Sequence, residues 1–410
     1  MIKLYIIKKA GVVMAQKKRL LVTASTFPRW AEDSEPRFVY DLCCALSQEF
    51  DVTALVPASP GAAEQEELGP VHVERYHYFP IHRYETLCSP GAIVPRIKEK
   101  KSRALLVPFL FASLWWNLWR RRHQFDAVHA HWLIPQGIVQ SFVPMPYLVT
   151  GHGSDLSSLN FAPLRALKSR CLRRAGAVTV VSEKLRTIAQ SLVPGLDCSV
   201  LPMGCDTSAF GPQYRQPNVF GSGEGPVVLF VGRLTEIKGL PILLQAMEHV
   251  SGRLAIVGDG TLLEEYRRLA APLGGRAQFW GQCSLQQLRS LYASADVFCA
   301  PSIRLPSGQE EGFGLVVLEA MASGTPVVGS NTGGIADMIR DGENGLLVPP
   351  GQPNALAEAI NRILSEPALR SRLAQGGSET ARRYDYTAVG GSYAAVLRSL
   401  MEGYRGSSAD

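Results

Sequence analysis

Two series of short, continuously apolar runs organise the chain, each run followed by a longer helical pattern, and no other feature limits the possible folds as strongly. The first series contains "RLLVTAS", "DVTALVP", "DAVHAHW", "PYLVTGHG", "AVTVVSE" and "SVLPMG"; the second contains "VVLFVGRL", "RLAIVGDG", "AQFWGQ", "DVFCAP", "PVVGSN" and "GLLVPP". Strands that are apolar on both faces need helices on both faces, and strand–helix alternation gives parallel sheets joined by helical crossovers. Between the series, "FGPQYRQPNVFGSGEGP" (Phe210–Pro226) is rich in glycine, proline and polar residues and reads as a linker. The 410 residues also exceed what one core holds, because cores stop growing at about 250–300 residues. The fold class expected is α/β, two facing domains with parallel sheets and a cleft between them. Ligands of such sheets bind at the carboxyl ends of the strands.

Composition narrows the function classes. A hydrophobic fraction of 46% with 19% charged residues excludes extensive disorder. The net charge of +6 comes without a basic stripe interleaved with aromatics, so no nucleic-acid partner is expected. The 8 cysteines form no C-x-x-C pair and several lie in apolar runs, which points to buried thiols in a reducing compartment. The first residues show no signal-peptide cleavage pattern, so a cytoplasmic location is expected, and Met14 is a candidate start that would leave residues 1–13 outside the native chain.

One segment complicates that picture. "ALLVPFLFASLWWNLW" (Ala104–Trp119) lies between Lys98, Lys100, Lys101 and Arg103 on one side and Arg120, Arg121 and Arg122 on the other. It falls short of the ~20 apolar residues a spanning helix needs. It reads as a helix packed on a sheet; the alternative is an interfacial helix, giving a peripheral membrane contact through residues 98–122 at the inner face of a membrane.

The chemistry clusters at strand ends. In "FVGRLTEIKGL", Arg233 and Lys238 follow a strand and precede a helix, a fork and a point charge suited to an anion. In "PSGQEEGFGLVVLEAMASG", Gly312, Phe313 and Gly314 lead into a helix starting near Phe313 or Gly314 and ending before Thr325. Its free N–H groups would seat a phosphate. Carboxylates in that position would repel a phosphate and so serve another ligand group. Glu319 on the helix and Glu311 on the loop are placed to accept hydrogen bonds from vicinal hydroxyls on either side of the phosphates. Glu310 reads as a solvated neighbour. No D-x-D, H-E-x-x-H or cysteine pair implies a metal or other cofactor.

In the first series, "YLVTGHGSDL" puts His152 and Asp155 on a glycine-rich turn after a strand. "HAHWLIPQG" offers His129 and His131 on one strand face and Trp132 on the other; His129 reads as a core histidine, and His131 is equally placed for the core or the cleft.

These residues, with "GRLTEIKGL", "IVGDG", "LYASADVFCAPS", "EGFGLVVLEAMASGTPVVGSNTGGIADMIRDGENGLLVPP" and "TGHGSDL", resemble the retaining glycosyltransferases of family 4 from about Arg19 onward. The resemblance implies a GT-B fold with an acceptor-binding domain at 1–210, a donor-binding domain at 211–386 and a terminal segment, 387–410, crossing back to the first domain. It implies a hexosyltransferase moving a sugar from a nucleotide diphosphate sugar, UDP-sugar or GDP-mannose, to a hydroxyl of a saccharide or lipid-linked acceptor, without a metal. Arg233 and Lys238 would bind the diphosphate with the amides of Gly312, Phe313 and Gly314. Glu319 would hold the ribose, Glu311 and His152 the sugar, and the loop from Gly281 to Ser284 the base. The first loop departs from the family pattern: Glu35-Pro36 stands where many members have Gly-Gly, and Arg37 is a candidate substitute contact. A nucleotide-sugar epimerase of the same shape and a non-catalytic binding subunit are the alternatives.

Overall fold

The computed structural model describes residues 17–407 apart from 32, 34, 90 and 92; the alternative start at Met14 lies outside them. The first series of runs forms a sheet from β1 (Lys18–Thr23), β2 (Phe50–Pro57), β3 (Gln65–Leu68), β4 (Val71–Tyr76), β5 (Ala127–His131), β6 (Tyr147–Gly151), β7 (Ala177–Val180) and β8 (Ser199–Val200), in the order β3-β4-β2-β1-β5-β6-β7-β8. The second forms β9 (Val227–Val231), β10 (Arg253–Val257), β11 (Ala277–Gly281), β12 (Val297–Ala300), β13 (Val327–Ser330) and β14 (Leu346–Val348), ordered β11-β10-β9-β12-β13-β14. Every pairing is parallel except β3 with β4.

Each apolar run became a strand because helices bury both its faces: β5, β6, β12 and β13 are buried along their whole lengths. The hairpin β3–β4 escaped the sequence reading. "QEEL" is polar because it is an edge strand, and "VHVERY" mixes buried valines with charges. Its Arg75 is nevertheless buried, paired with Glu66 at 2.6 Å.

In each sheet the strand order reverses once, between β1 and β5 and between β9 and β12, and the carboxyl ends at such a reversal leave a crevice. The two crevices face each other. The chain crosses between the sheets twice, and the crossings are joined: Cys205 N–H donates to Tyr384 O at 2.8 Å, and the Thr207 hydroxyl donates to Asp385 Oδ2. The last helix, Tyr386–Ser407, lies on the first sheet's side, with Tyr386 Oη donating to Phe38 O, Tyr393 Oη to Leu201 O, and Arg398 paired with Glu49.

The helix Val107–Arg121 packs on the first sheet, as the first of its two sequence readings expects, and leaves part of its surface exposed. Leu110, Leu114, Leu118, Asn117 and Arg121 are buried against the first sheet, while Phe109, Trp115 and Trp116 are exposed. Arg121 therefore does not belong to a basic surface flank: its guanidinium pairs with Glu74 and the Asn117 carbonyl groups. Arg103 is likewise paired with Glu99 at 2.8 Å, leaving Lys98, Lys100, Lys101 and Arg120 exposed.

Candidate active site

The second sheet's half of the site is assembled by the loops after β9 and β12. After β9 the chain passes Gly232 and Arg233, makes a short 3-10 turn at Glu236–Lys238, and enters the helix Leu240–Ala246 through Gly239. Gly239 has φ +64°, and a Cβ on it would lie 1.9 Å from the carbonyl oxygen of Pro301, so only glycine lets this turn press on the loop after β12. A hydrogen bond from Ile303 N–H to Ile237 O, 2.9 Å, completes the join. The side chains of Lys238 and Glu311 thereby meet, Nζ to Oε2, at 2.5 Å. Burial pushes the Glu311 carboxyl up, but the charge and hydrogen bond of Lys238, the charge of Arg233 and the Gly312 N–H outweigh it and hold the group below the usual carboxylate range. Arg233 itself is exposed and forms no ion pair among the described residues.

The helix following that loop runs Leu315–Ala322, slightly later than the sequence suggests, because Gly314 is its N-cap in the left-handed region, φ +90°. No side chain caps this end; the Val317 N–H turns back on Gly314 O at 2.9 Å, and those of Leu315 and Val316 make no hydrogen bond among the described residues and are open to a ligand. Phe313 turns inward, buried 6.0 Å from the Tyr384 ring, so only its backbone is available. Glu319 lies in the second turn, where its Oε2 accepts from Tyr292 Oη at 2.7 Å. Burial raises its pKa, partly offset by that bond. Gly281 ends β11 with φ +67°, its carbonyl accepting from Gly258 N–H at 2.8 Å at the sheet's carboxyl edge.

From the first sheet, β6 delivers His152 on a turn organised by the buried Asp155, whose carboxylate accepts from the N–H groups of His152, Gly153 and Leu133 at 3.1, 2.8 and 2.9 Å. The turn touches the other domain at Gly312, where a Cβ would lie 2.2 Å from the His152 carbonyl oxygen. His152, Glu311, Lys238, Arg233 and the uncapped helix end therefore border one cleft. His129 and His131 do not: both are fully buried, with His129 Nε2 on Thr150 Oγ1 at 2.8 Å and His131 Nδ1 on His152 Nε2 at 3.0 Å. The stacked sheet leaves them no path to the cleft except through His152. Trp132 departs from strand alternation as well. Its φ of +70° ends β5 and brings its ring within 4.9 Å of His152 and 5.7 Å of Phe38 instead of carrying it to the far face.

Known proteins share both halves of this arrangement. The Glycosyltransferase Family 4 model matches residues 36–209 and the Glycosyl transferases group 1 model residues 214–380. The chain is 30% identical over 334 residues to phosphatidyl-myo-inositol mannosyltransferase of Mycobacterium leprae, spanning 76% of this chain and 86% of that protein. The chain is a family 4 glycosyltransferase. A second relative, 32% identical over 56% of this chain and 64% of its own, is the GDP-mannose-dependent alpha-(1-6)-phosphatidylinositol monomannoside mannosyltransferase of Mycolicibacterium smegmatis. Sucrose-phosphate synthase from Thermosynechococcus elongatus shares the two-domain GT-B fold, with a TM-score of 0.76 at 23% identity over 94% of this chain and 100% of its own.

Three features of this glycosyltransferase lay beyond the sequence reading. Glu310 is no solvated bystander: its Oε2 accepts from Thr332 Oγ1 at 2.9 Å and Gly333 N–H at 3.0 Å, and its Oε1 faces Arg304 at 3.3 Å and Lys184 of the other domain at 3.8 Å. Arg37 is tied back to Ala31 O and Asp41 and lies over the Tyr40 ring, while Glu35 accepts from Gly91 N–H. Tyr292 as the partner of Glu319 has no local signal, since the two are separated by 27 residues.

Two outcomes are expected. Gly312→Ala must push the domains apart at His152, so turnover should fall about 100-fold, as a misplacement near 1 Å does, while circular dichroism and thermal unfolding stay close to the parent; unchanged turnover would show that the contact is not needed. The second outcome concerns acid stability. Burial, with a smaller contribution from His152, lowers the pKa of His129 to about 3. The folded chain keeps this ring neutral while the unfolded chain protonates it below about 6.5, so its contribution is present above that pH and lost as pH falls towards 3. In urea unfolding, the stability of the parent relative to His129→Leu should drop by about 1.4 kcal/mol per pH unit below pH 6, and a pH-independent difference would contradict it.

Proposed function

We propose that this glycosyltransferase moves a hexosyl unit from a nucleotide diphosphate sugar to a hydroxyl of a saccharide or lipid-linked acceptor, with retention of anomeric configuration and without a metal ion. The observation that carries the reading is the cationic mouth beside the uncapped helix: Arg233, exposed and without an ion pair among the described residues, next to Lys238 at the carboxyl end of β9. A diphosphate seated there gains a guanidinium fork, an ammonium and backbone amides, with charge-assisted bonds worth about 1.5–3 kcal/mol each. Lys238 then exchanges its partner Glu311 for phosphate oxygens, and the freed Glu311 carboxylate accepts hydroxyls of the sugar lying against His152. Glu319 keeps Tyr292 on Oε2 and offers Oε1 to the ribose. The sugar–phosphate bond breaks as negative charge grows on the leaving diphosphate. Arg233, Lys238 and the helix end stabilise that charge. The departing phosphate takes the acceptor proton on the face it leaves, which preserves the configuration. The relative named as GDP-mannose-dependent favours GDP-mannose as donor, with UDP-sugars as the competing class.

The acceptor is proposed to lie at a membrane surface. Among the described residues no helix is long and apolar enough to cross a membrane. The exposed face formed by Leu105, Phe109, Trp115 and Trp116, with Lys98, Lys100, Lys101 and Arg120 around it, has the aromatic and basic chemistry of an interfacial helix on the inner leaflet. The relatives named for phosphatidylinositol acceptors fit such a site.

Two measurements test the reading. The purified chain incubated with GDP-mannose or UDP-hexoses and a lipid-linked polyol should form a glycoside, and Lys238→Ala should lower kcat by at least about 100-fold with little change in unfolding temperature; near-parental turnover, or sugar interconversion without acceptor, would overturn it. For the membrane face, Phe109→Ser with Trp116→Ser should weaken partition onto anionic vesicles about tenfold or more, Arg121 being left intact because it holds Glu74. An unchanged partition would remove the membrane from the proposal.

A further inference from the structure

Three buried or half-buried histidines run from the cleft into the first sheet, and the transfer reaction accounts for only one of them. His131 ends β5, where every residue is buried and an aliphatic side chain would fill the same space without desolvating an imidazole. Polar groups retained at such cost point to a role beyond packing. Its ring is nearly parallel to that of His152, 22° apart, with Nδ1 3.0 Å from His152 Nε2. Behind it the His129 ring lies 4.1 Å away, and His129 Nε2, Thr150 Oγ1 and Thr179 Oγ1 continue the polar chain at 2.8 and 2.7 Å.

The direction of the His131–His152 bond follows from what each ring can leave unpaired. His131 Nε2 and His129 Nδ1 are buried without a hydrogen-bond partner among the described residues. A buried N–H without a partner is rarer and more costly than a bare acceptor lone pair. His131 therefore carries its proton on Nδ1 and donates to His152 Nε2, which places the proton of His152 on Nδ1. That nitrogen makes no hydrogen bond among the described residues and is not closed off from the cleft. The backbone of His152 is fixed independently, through its N–H on Asp155 Oδ1 at 3.1 Å.

We propose that His131 is a positioning residue for sugar transfer: it holds His152 as the Nδ1–H tautomer, with that N–H directed into the cleft as a donor to a hydroxyl of the transferred sugar. The inference rests on the transferase reading for its consequence and on the histidine geometry for its content. Asp155 sets where the His152 ring is anchored, and His131 sets which nitrogen faces the sugar.

The test uses the full chain labelled with 15N-histidine, at pH 7.5. The parent should show His152, assigned by its loss in His152→Gln, with a protonated Nδ1 and a bare Nε2. In His131→Leu the His152 signals should move towards the Nε2–H tautomer, kcat should fall about 100-fold, and the dissociation constant for the donor's nucleoside diphosphate should stay within about twofold, because His131 is remote from the cations. His131→Asn keeps a side-chain amide where the ring Nδ1 was and should restore both tautomer and kcat. A parent His152 protonated on Nε2, or a His131→Leu protein with unchanged tautomer and kcat, overturns the proposal, and the first of these needs no variant to fold. If the chain transfers no sugar from any donor, the transferase reading fails, while the tautomer measurement still decides whether His131 sets the state of His152.

Discussion

The domains meet backbone to backbone at His152–Gly153 and Gly312, and the rest of the site follows from that approach. No side chain separates the two sheets there, because a Cβ on Gly312 would overlap the His152 carbonyl. The histidine from the first sheet is therefore brought to the loop that carries Glu311 and to the free end of the helix Leu315–Ala322. Nearby contacts stabilise the same closure: Asp337 accepts from Glu183 N–H at 2.9 Å, and Glu310 faces Lys184. Glu310 thus links the order of its own loop to the position of the other domain, which its sequence context, next to a second glutamate, does not reveal.

Charge balance explains why carboxylates stand where a phosphate should bind. Without a ligand, Lys238 would be a desolvated cation and Glu311 a desolvated anion; paired at 2.5 Å they satisfy each other. On the proposed reading, an incoming diphosphate would replace Glu311 as the partner of Lys238 and release a carboxylate beside the sugar, so that one pair would serve both the empty and the loaded site. Arg233 stays outside this exchange, exposed at the mouth, where a guanidinium gives long-range attraction without a desolvation cost.

Most of the fold was legible, and the failures have a common physical origin. Strands buried on both faces announce themselves as apolar runs, and the cations and glycines at their carboxyl ends follow one another closely in sequence. The hairpin β3–β4 was missed because an edge strand need not be apolar. Arg121 looked like a member of a basic cluster because its partner Glu74 is 47 residues away. Tyr292 as the partner of Glu319 and Lys184 as the neighbour of Glu310 depend on how distant elements pack. The histidine chain depends on register: β5 and β6 pair His131 with Thr150, and only that alignment places His152 over His131. Local pattern specifies elements, whereas polar partnership is decided by tertiary geometry.

The two crossings also limit how the cleft can open. Cys205–Thr207 and Tyr384–Asp385 are hydrogen-bonded side by side, and although burial alone would raise the Asp385 pKa, bonds from Thr207 and Thr387 hold its carboxylate below the ordinary range. A doubly pinned joint resists sliding and twisting, so the compliant motion left to the domains is rotation about it. The contact of His152 with Gly312 lies beside this joint, since Phe313 packs 6.0 Å from Tyr384 and Phe38 both accepts from Tyr386 Oη and packs 5.4 Å from His152. Lys238 and Glu311 both belong to the second domain, so a rotation about the joint leaves their pairing intact.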